Sequence, residues 1–235
     1  MSTRSRIIEV TAALLAQSPT GDVSTRAVCE AAGVQQPALY RLFGDKDGLL
    51  AATVDHVWEQ YLAMKRAAER SADPLDDLRA GWDSHTAFAL AHPNAYRLLF
   101  ATTLTTRPES ADEAMRLLRE VLDRLAADGR LRVVSTTAAQ MVMAANTGVA
   151  LALVLQPSLY PDAGLSALVR DATHRAILRD VDAVDHASDA RTAAANTLTS
   201  GLGELVPATF SPAEAGLLGE WLARVPAAEA HSTQK

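Results

Sequence analysis

Apolar residues recur along this chain at intervals of three, four and seven, the spacing of one helix face. Ile7 and Leu14, and Ile8 and Leu15, are seven apart, with Thr11 and Ala12 between them. This predicts a first helix over roughly 3–17. The turn residues Pro19 and Gly21 in "SPTGD" break it. Ser24 reads as the N-cap of a second helix, roughly 25–31, which Gly33 ends in the left-handed conformation. A third, short helix covers roughly 36–42. "GDKDG" then leads into a long one, roughly 46–71, capped by Asp45 and striped by Leu50, Val54, Val57 or Trp58, and Tyr61.

The same pattern continues to the end. A fifth helix follows "SADP" and runs to roughly residue 91, and Pro93 opens a sixth to roughly 104. Further helices are expected at roughly 110–127, 135–155, 163–182, 187–203 and 211–224, the last with Ser211 as cap and Pro212 at its first position. The tail from 227 to 235 reads as disordered. Long strand-type runs of Val, Ile, Tyr and Phe are absent, and Ala and Leu, strong helix formers, are abundant. The expected class is all-α. With 235 residues, 49% of them hydrophobic, the chain is long enough for a sizeable core.

Charge divides the chain. Net charge is −6. Within residues 1–50 the five bases (Arg4, Arg6, Arg26, Arg41, Lys46) balance five acids (Glu9, Asp22, Glu30, Asp45, Asp47), so the acidic excess lies beyond residue 50. Such a balance argues against coating nucleic acid non-specifically, but leaves room for a local DNA-binding face. Cys29, the single cysteine, excludes an intramolecular disulfide and fits a reducing compartment. "MSTRSRIIEV" has no signal-peptide apolar region. The most apolar stretch, Ala138 to Leu155, is interrupted by Gln140, Asn146 and Thr147. It reads as a deeply buried helix of a cytoplasmic protein rather than a membrane span.

Residues 24–50, "STRAVCEAAGVQQPALYRLFGDKDGLL", carry the sharpest motif. A helix-turn-helix needs a small residue where its two helices touch, here Cys29. It needs a glycine turn, here Gly33, then an apolar plug, here Val34. Its second helix needs apolar residues facing back, here Leu39 and Leu42 with Phe43. The stretch resembles the tetracycline-repressor (TetR) family of transcriptional regulators, whose pattern "AAGV…ALYRLF…K…LL" follows. The resemblance covers about residues 4–52.

It implies an N-terminal three-helix helix-turn-helix DNA-binding domain, residues 1–50. A larger helical effector-binding and dimerisation domain would follow, residues 51–226. Tyr40 matches the family tyrosine that bonds a DNA phosphate, and Lys46 the lysine at the start of the fourth helix. Thr25 matches a backbone-contacting hydroxyl. Arg26 suits guanine and Gln36 adenine, in bidentate fashion. Pro37 would pack on a thymine methyl, and Arg41 would bind phosphate. Gln35 stands where the family has a serine cap, Leu42 where it commonly has histidine, and Cys29 where it has alanine.

"HTAFALAHPNAYRLLF" (His85 to Phe100) resembles a subgroup of the family in which an aromatic-rich fifth helix runs through His-Pro into a sixth. The resemblance implies a mostly apolar pocket for an unknown small-molecule effector. Its candidate lining is Trp82, His85, Ala89, Tyr96, Phe100, Met115, Leu118, Leu122, Met141 and Ala145. The fifth-helix face also includes His92. Small residues Ala144, Ala145, Gly148 and Ala152 allow close approach of another helix. The family arrangement implies a homodimer through the helices near 135–155 and 163–182, placing two heads on a palindromic double-stranded operator.

Enzyme chemistry finds little support. The histidines (His56, His85, His92, His174, His186, His231) form no His-x-x-x-His pair. One cysteine does not build a typical zinc site. "GLGEL" lacks a third glycine and a preceding strand, and there is no P-loop or Gly-x-Ser-x-Gly. No metal or cofactor is expected. The expected function is a one-component regulator, most simply a ligand-released repressor. The alternatives are a helical ligand- or partner-binding protein without operator binding, and an all-α enzyme.

Overall fold

The computed structural model describes residues 1–100, 110–179, 187–206 and 209–225. Helices fill it in the expected order. They are α1 (Thr3–Gln17), α2 (Thr25–Ala32), α3 (Gln36–Phe43), α4 (Lys46–Ala67), α5 (Pro74–Ala91) and α6 (Pro93–Phe100). Then come α7 (Ser110–Ala127), α8 (Ser135–Leu155), α9 (Leu165–Ile177), α10 (Ala187–Gly201), a 3-10 turn (Leu202–Leu205) and α11 (Pro212–Leu222). Among the described residues the only β-type pairing is one antiparallel bridge, Leu131 with Leu178. The fold is all-α. The expected tail, the expected end of the sixth helix after Phe100, and His186 and His231 lie outside the described residues.

Local chemistry explains most boundaries. The Asp45 side chain accepts from the Gly48 amide at 2.7 Å and caps α4. Ser211 and Glu214 form a reciprocal capping box at α11. Gly33 ends α2 at φ 64, ψ 39, the left-handed region as expected. Three expectations at helix ends fail, one of them the ninth helix, which ends at Ile177 rather than near 182, as Leu178 bridges to Leu131. Ser24 precedes α2, but its side chain makes no capping bond. The long helix stops at Ala67 rather than near 71: Ala68 turns extended at ψ 133, and its amide donates to the Lys65 carbonyl.

The described chain forms two compact units. The first comprises residues 1–69, 83–115 and 147–166. Its core joins Ile7 and Leu15 of α1, Val28, Cys29 and Ala32 of α2, and Leu39 of α3. Leu49, Leu50 and Val54 of α4 and Ala95 and Leu98 of α6 complete it. Burying the Ile, Leu and Val side chains among them stabilises each by about 1.5–3 kcal/mol relative to exposure. The second unit comprises residues 70–82, 116–146 and 167–235. There Arg124 pairs with Asp77 at 2.5 Å and Arg130 with Asp73 at 2.6 Å. The Asn146 amide donates to the Trp82 carbonyl at 3.1 Å.

Three expectations about burial fail. Leu42 is 38% exposed. At about 100° per residue an eight-residue helix presents only a narrow stripe, and Leu39 with Phe43 fills it. His92, which shares the fifth-helix face in sequence, is exposed just after α5, its ring tilted against Phe88 at 4.9 Å. The apolar helix α8 is not deeply buried either: one third of its most apolar window is covered, and Ala144, Gly148 and Leu155 face outward. α8 is long and apolar enough to meet the length and composition of a membrane span.

Candidate nucleic-acid interface and ring cluster

The head owes its shape to three short helices with one apolar stripe each. α3 turns Leu39 inward, wholly buried, and Gln36, Pro37, Tyr40 and Arg41 outward. These four sit at i, i+1, i+4 and i+5, which is one helix face. Gln35 and Arg26 are exposed, while Thr25 is half-buried at the start of α2. Gln35 precedes α3 without a side-chain capping bond, so its amide stays available to other partners. The Arg4 guanidinium lies over the Phe43 ring, 5.3 Å from its centroid, which ties α1 to the end of α3.

Lys46 is the one expected contact that is already engaged. Its ammonium meets the Asp22 carboxylate at 2.5 Å. That hydrogen bond, with a second from the Val23 amide, holds the Asp22 carboxyl below the usual carboxylate range. Asp22 lies in the α1–α2 connection, a partner that the sequence pattern did not reveal.

α6 grips the same connection. The Asn94 side-chain amide donates to the Leu15 and Ser18 carbonyls, both at 2.8 Å. The Arg97 guanidinium donates to the Thr20 carbonyl. Gly21, at φ 71, leaves room for that guanidinium, since a Cβ there would run into Arg97.

The opposite side of α6 enters a cluster of rings. Tyr96 and Phe100 stand 4.6 Å apart between centroids, and His85 lies 5.5 Å from Tyr96. Trp58 reaches Tyr61, Phe88, Phe100 and His85 at 4.9–5.7 Å. His85 Nε2 and the Tyr96 hydroxyl share a 2.7 Å hydrogen bond. Burial, with the Lys65 charge nearby, pushes His85 down to about 3, so the ring is neutral. Burial raises the Tyr96 phenol, while Thr147 beside it pulls the other way. Burial also raises the Tyr61 phenol and draws the Lys65 ammonium down to about 8.

Of the expected effector residues, the structure joins His85, Tyr96 and Phe100 here, with Ala89 buried in the same unit and Met115 half-buried in it. Trp82, Leu118, Leu122, Met141 and Ala145 belong to the second unit, where Trp82 meets His174 edge-on at 6.0 Å. Sequence reasoning placed Trp58 and Tyr61 on the α4 stripe without assigning them to the ring cluster, and left Phe88 out. Their spacing carried the signal: Trp58, Tyr61 and Lys65 recur on one face of α4, as His85 and Phe88 do on α5. Among the described residues no group of three or more His, Cys, Asp or Glu is placed to hold a metal.

Residues 7–53 match the family model for bacterial regulatory proteins of the tetR family. That similarity spans α1 to the first turns of α4. The HTH-type transcriptional regulator BetI of Paraburkholderia phytofirmans is 35% identical over 81 residues, 33% of this chain and 40% of BetI. The chain therefore spans well under half the length of this curated relative. Solved structures extend the likeness of fold across the body. The fatty acid degradation regulator FadR of Bacillus halodurans matches with a TM-score of 0.60 at 18% identity, over 78% of this chain and 98% of FadR. SmeT, the repressor of a Stenotrophomonas maltophilia multidrug efflux pump, matches with a TM-score of 0.56 at 23% identity, over 78% of this chain and 94% of SmeT.

Proposed function

We propose that this chain is a one-component transcriptional repressor that binds a palindromic operator as a homodimer. Residues 1–50 are the DNA-binding head and residues 51–226 the effector-binding and dimerisation body. The observation that carries the reading is the outward row of Gln36, Pro37, Tyr40 and Arg41 on a helix held from behind by Leu39. Arg26 and Gln36 read base edges; Thr25, Tyr40, Arg41 and Lys46 hold the backbone, and Gln35 and Pro37 set the fit at the entry of α3. Dimerisation supplies what one neutral head lacks, a second half-site about 34–36 Å away. The outward Ala144 and Gly148 and the apolar run of α8 support a partner helix there, with α9 beside it.

Release follows from α6. A small, mostly apolar ligand among the rings moves Tyr96 and Phe100, and the same helix carries Asn94 and Arg97 to the α1–α2 connection. The ligand shifts the population toward a head spacing unsuited to DNA. Coupling of about 1–3 kcal/mol weakens DNA binding roughly 5–150-fold. This reading places the protein in the cytoplasm and requires neither cofactor nor catalysis. Its test is genetic and direct: footprint the bound promoter, then delete the gene. Transcription from that promoter should rise; an unchanged or falling transcript contradicts repression.

A further inference from the structure

The cations of the head are placed differently from those of the body. In the body Arg66, Arg79, Arg124, Arg130 and Arg170 each meet a carboxylate. In the head Lys46 meets Asp22, but Arg4, Arg6, Arg26 and Arg41 are exposed and meet no carboxylate among the described residues. Composition is not the reason, because the same fifty residues hold five acids. Arg26 and Arg41 already have roles on DNA in the reading above. Arg4 and Arg6 have none.

Arg4 is exposed yet held in place. Its guanidinium lies over the Phe43 ring, 5.3 Å from the centroid. A guanidinium stacked in this way uses its flat face and keeps its N–H donors in the plane, clear of the ring. The first turn of α1 holds no acid to take them. The helix does not need the charge either. Ser2 caps α1, its hydroxyl accepting from the Ser5 amide at 3.1 Å, and a base in the first turn opposes the helix dipole. Arg6 lies two residues on, about 200° round the helix, and so leaves α1 on the side away from Arg4.

Phe43 is the last residue of α3, two after Arg41. A recognition helix puts its N-terminal residues on base edges, so its far end leads out toward the sugar-phosphate rim of the groove. Arg4 is seated at that end, with a fork of donors that fits a phosphate in bidentate fashion.

We propose that Arg4 is a further DNA contact, a clamp on a backbone phosphate beside each half-site, pre-positioned by its stack on Phe43. The proposal rests on the operator reading above and adds a contact to it.

Salt-dependent titrations of the full chain test it, on the duplex it enriches from a random pool and on a scrambled duplex of equal length. Arg4→Gln should weaken both duplexes several-fold. Each lost contact lowers the slope of log K against log salt by about 0.9, so a dimer should lose about two units. Arg4→Lys should recover the slope and part of the affinity. Arg6→Gln, of equal charge change, should do much less. Duplexes carrying one neutral methylphosphonate, moved stepwise through the flanks, should reveal a position that weakens the native protein and leaves Arg4→Gln unaffected. An unchanged slope, a loss confined to the enriched duplex, an equal loss in Arg6→Gln, or no such position overturns the clamp while leaving the operator reading standing. A native protein with no salt-dependent DNA binding overturns both.

Discussion

His85 and Tyr96 join α5 to α6 through one 2.7 Å hydrogen bond in the middle of a cluster of rings. Because burial holds His85 at about 3, against 6.5 when unfolded, the native state resists a proton that the unfolded chain accepts. Its contribution to stability is complete above about pH 6.5 and is lost as pH falls from there toward 3. Urea unfolding at pH 7.5, 6 and 5 should show this loss, with a slope of up to about 1.4 kcal/mol per pH unit. His85→Gln should flatten the profile relative to the native protein, whereas two parallel profiles would mean the imidazole titrates normally. Tyr96→Phe should cost about 1–3 kcal/mol at neutral pH by stranding the imidazole nitrogen.

The Asp22–Lys46 pair sets a second expectation. A DNA phosphate must compete with the Asp22 carboxylate for the same ammonium. Asp22→Asn should tighten operator binding about two- to fivefold at low salt and steepen the salt dependence by up to about one unit. Anisotropy titrations at several salt concentrations measure both. Weaker binding by the variant would show that Asp22 positions Lys46 rather than occupying it.

Asn94 makes two bonds across to the head, and Asn94→Ala removes both. The α1–α2 connection should then exchange its amide hydrogens faster. If α6 carries the signal, the variant should bind the effector normally yet release DNA less than the native protein. Unchanged release at full occupancy would move the coupling elsewhere.

The outward face of α8 makes the dimer testable. Gly148→Glu puts a charge where a second helix is expected to pack. Sedimentation velocity should show the dimer dissociation constant rising at least about a hundredfold, with helix content retained. A variant that remains fully dimeric at the same concentrations would place the interface away from this face.

Local chemistry made the head legible. Gly33 terminates α2 and Asp45 caps α4, and each acts through neighbours within four residues. The features missed depend on contacts between distant segments. Asp22 finds Lys46 only after the head folds, and Trp58, Phe88 and Phe100 meet only when α4, α5 and α6 pack. Leu42 misled because an apolar residue on a short helix looks like core, while the stripe was already filled by Leu39 and Phe43. α8 misled in the other direction. Its apolarity was read as deep burial, and Ala144, Gly148 and Leu155 face outward.

The central claim is that α3 and Arg26 read a palindrome. Selection of bound duplexes from a random-sequence pool tests it without knowledge of any promoter. The account predicts enrichment of an inverted repeat whose half-sites lie about one helical turn, roughly 10 base pairs, apart. Arg26→Ala should lose the preference at one position of each half-site, and Tyr40→Phe should weaken binding to all sequences alike. A pool that emerges without an enriched repeat, from protein that is folded and dimeric, would contradict the account.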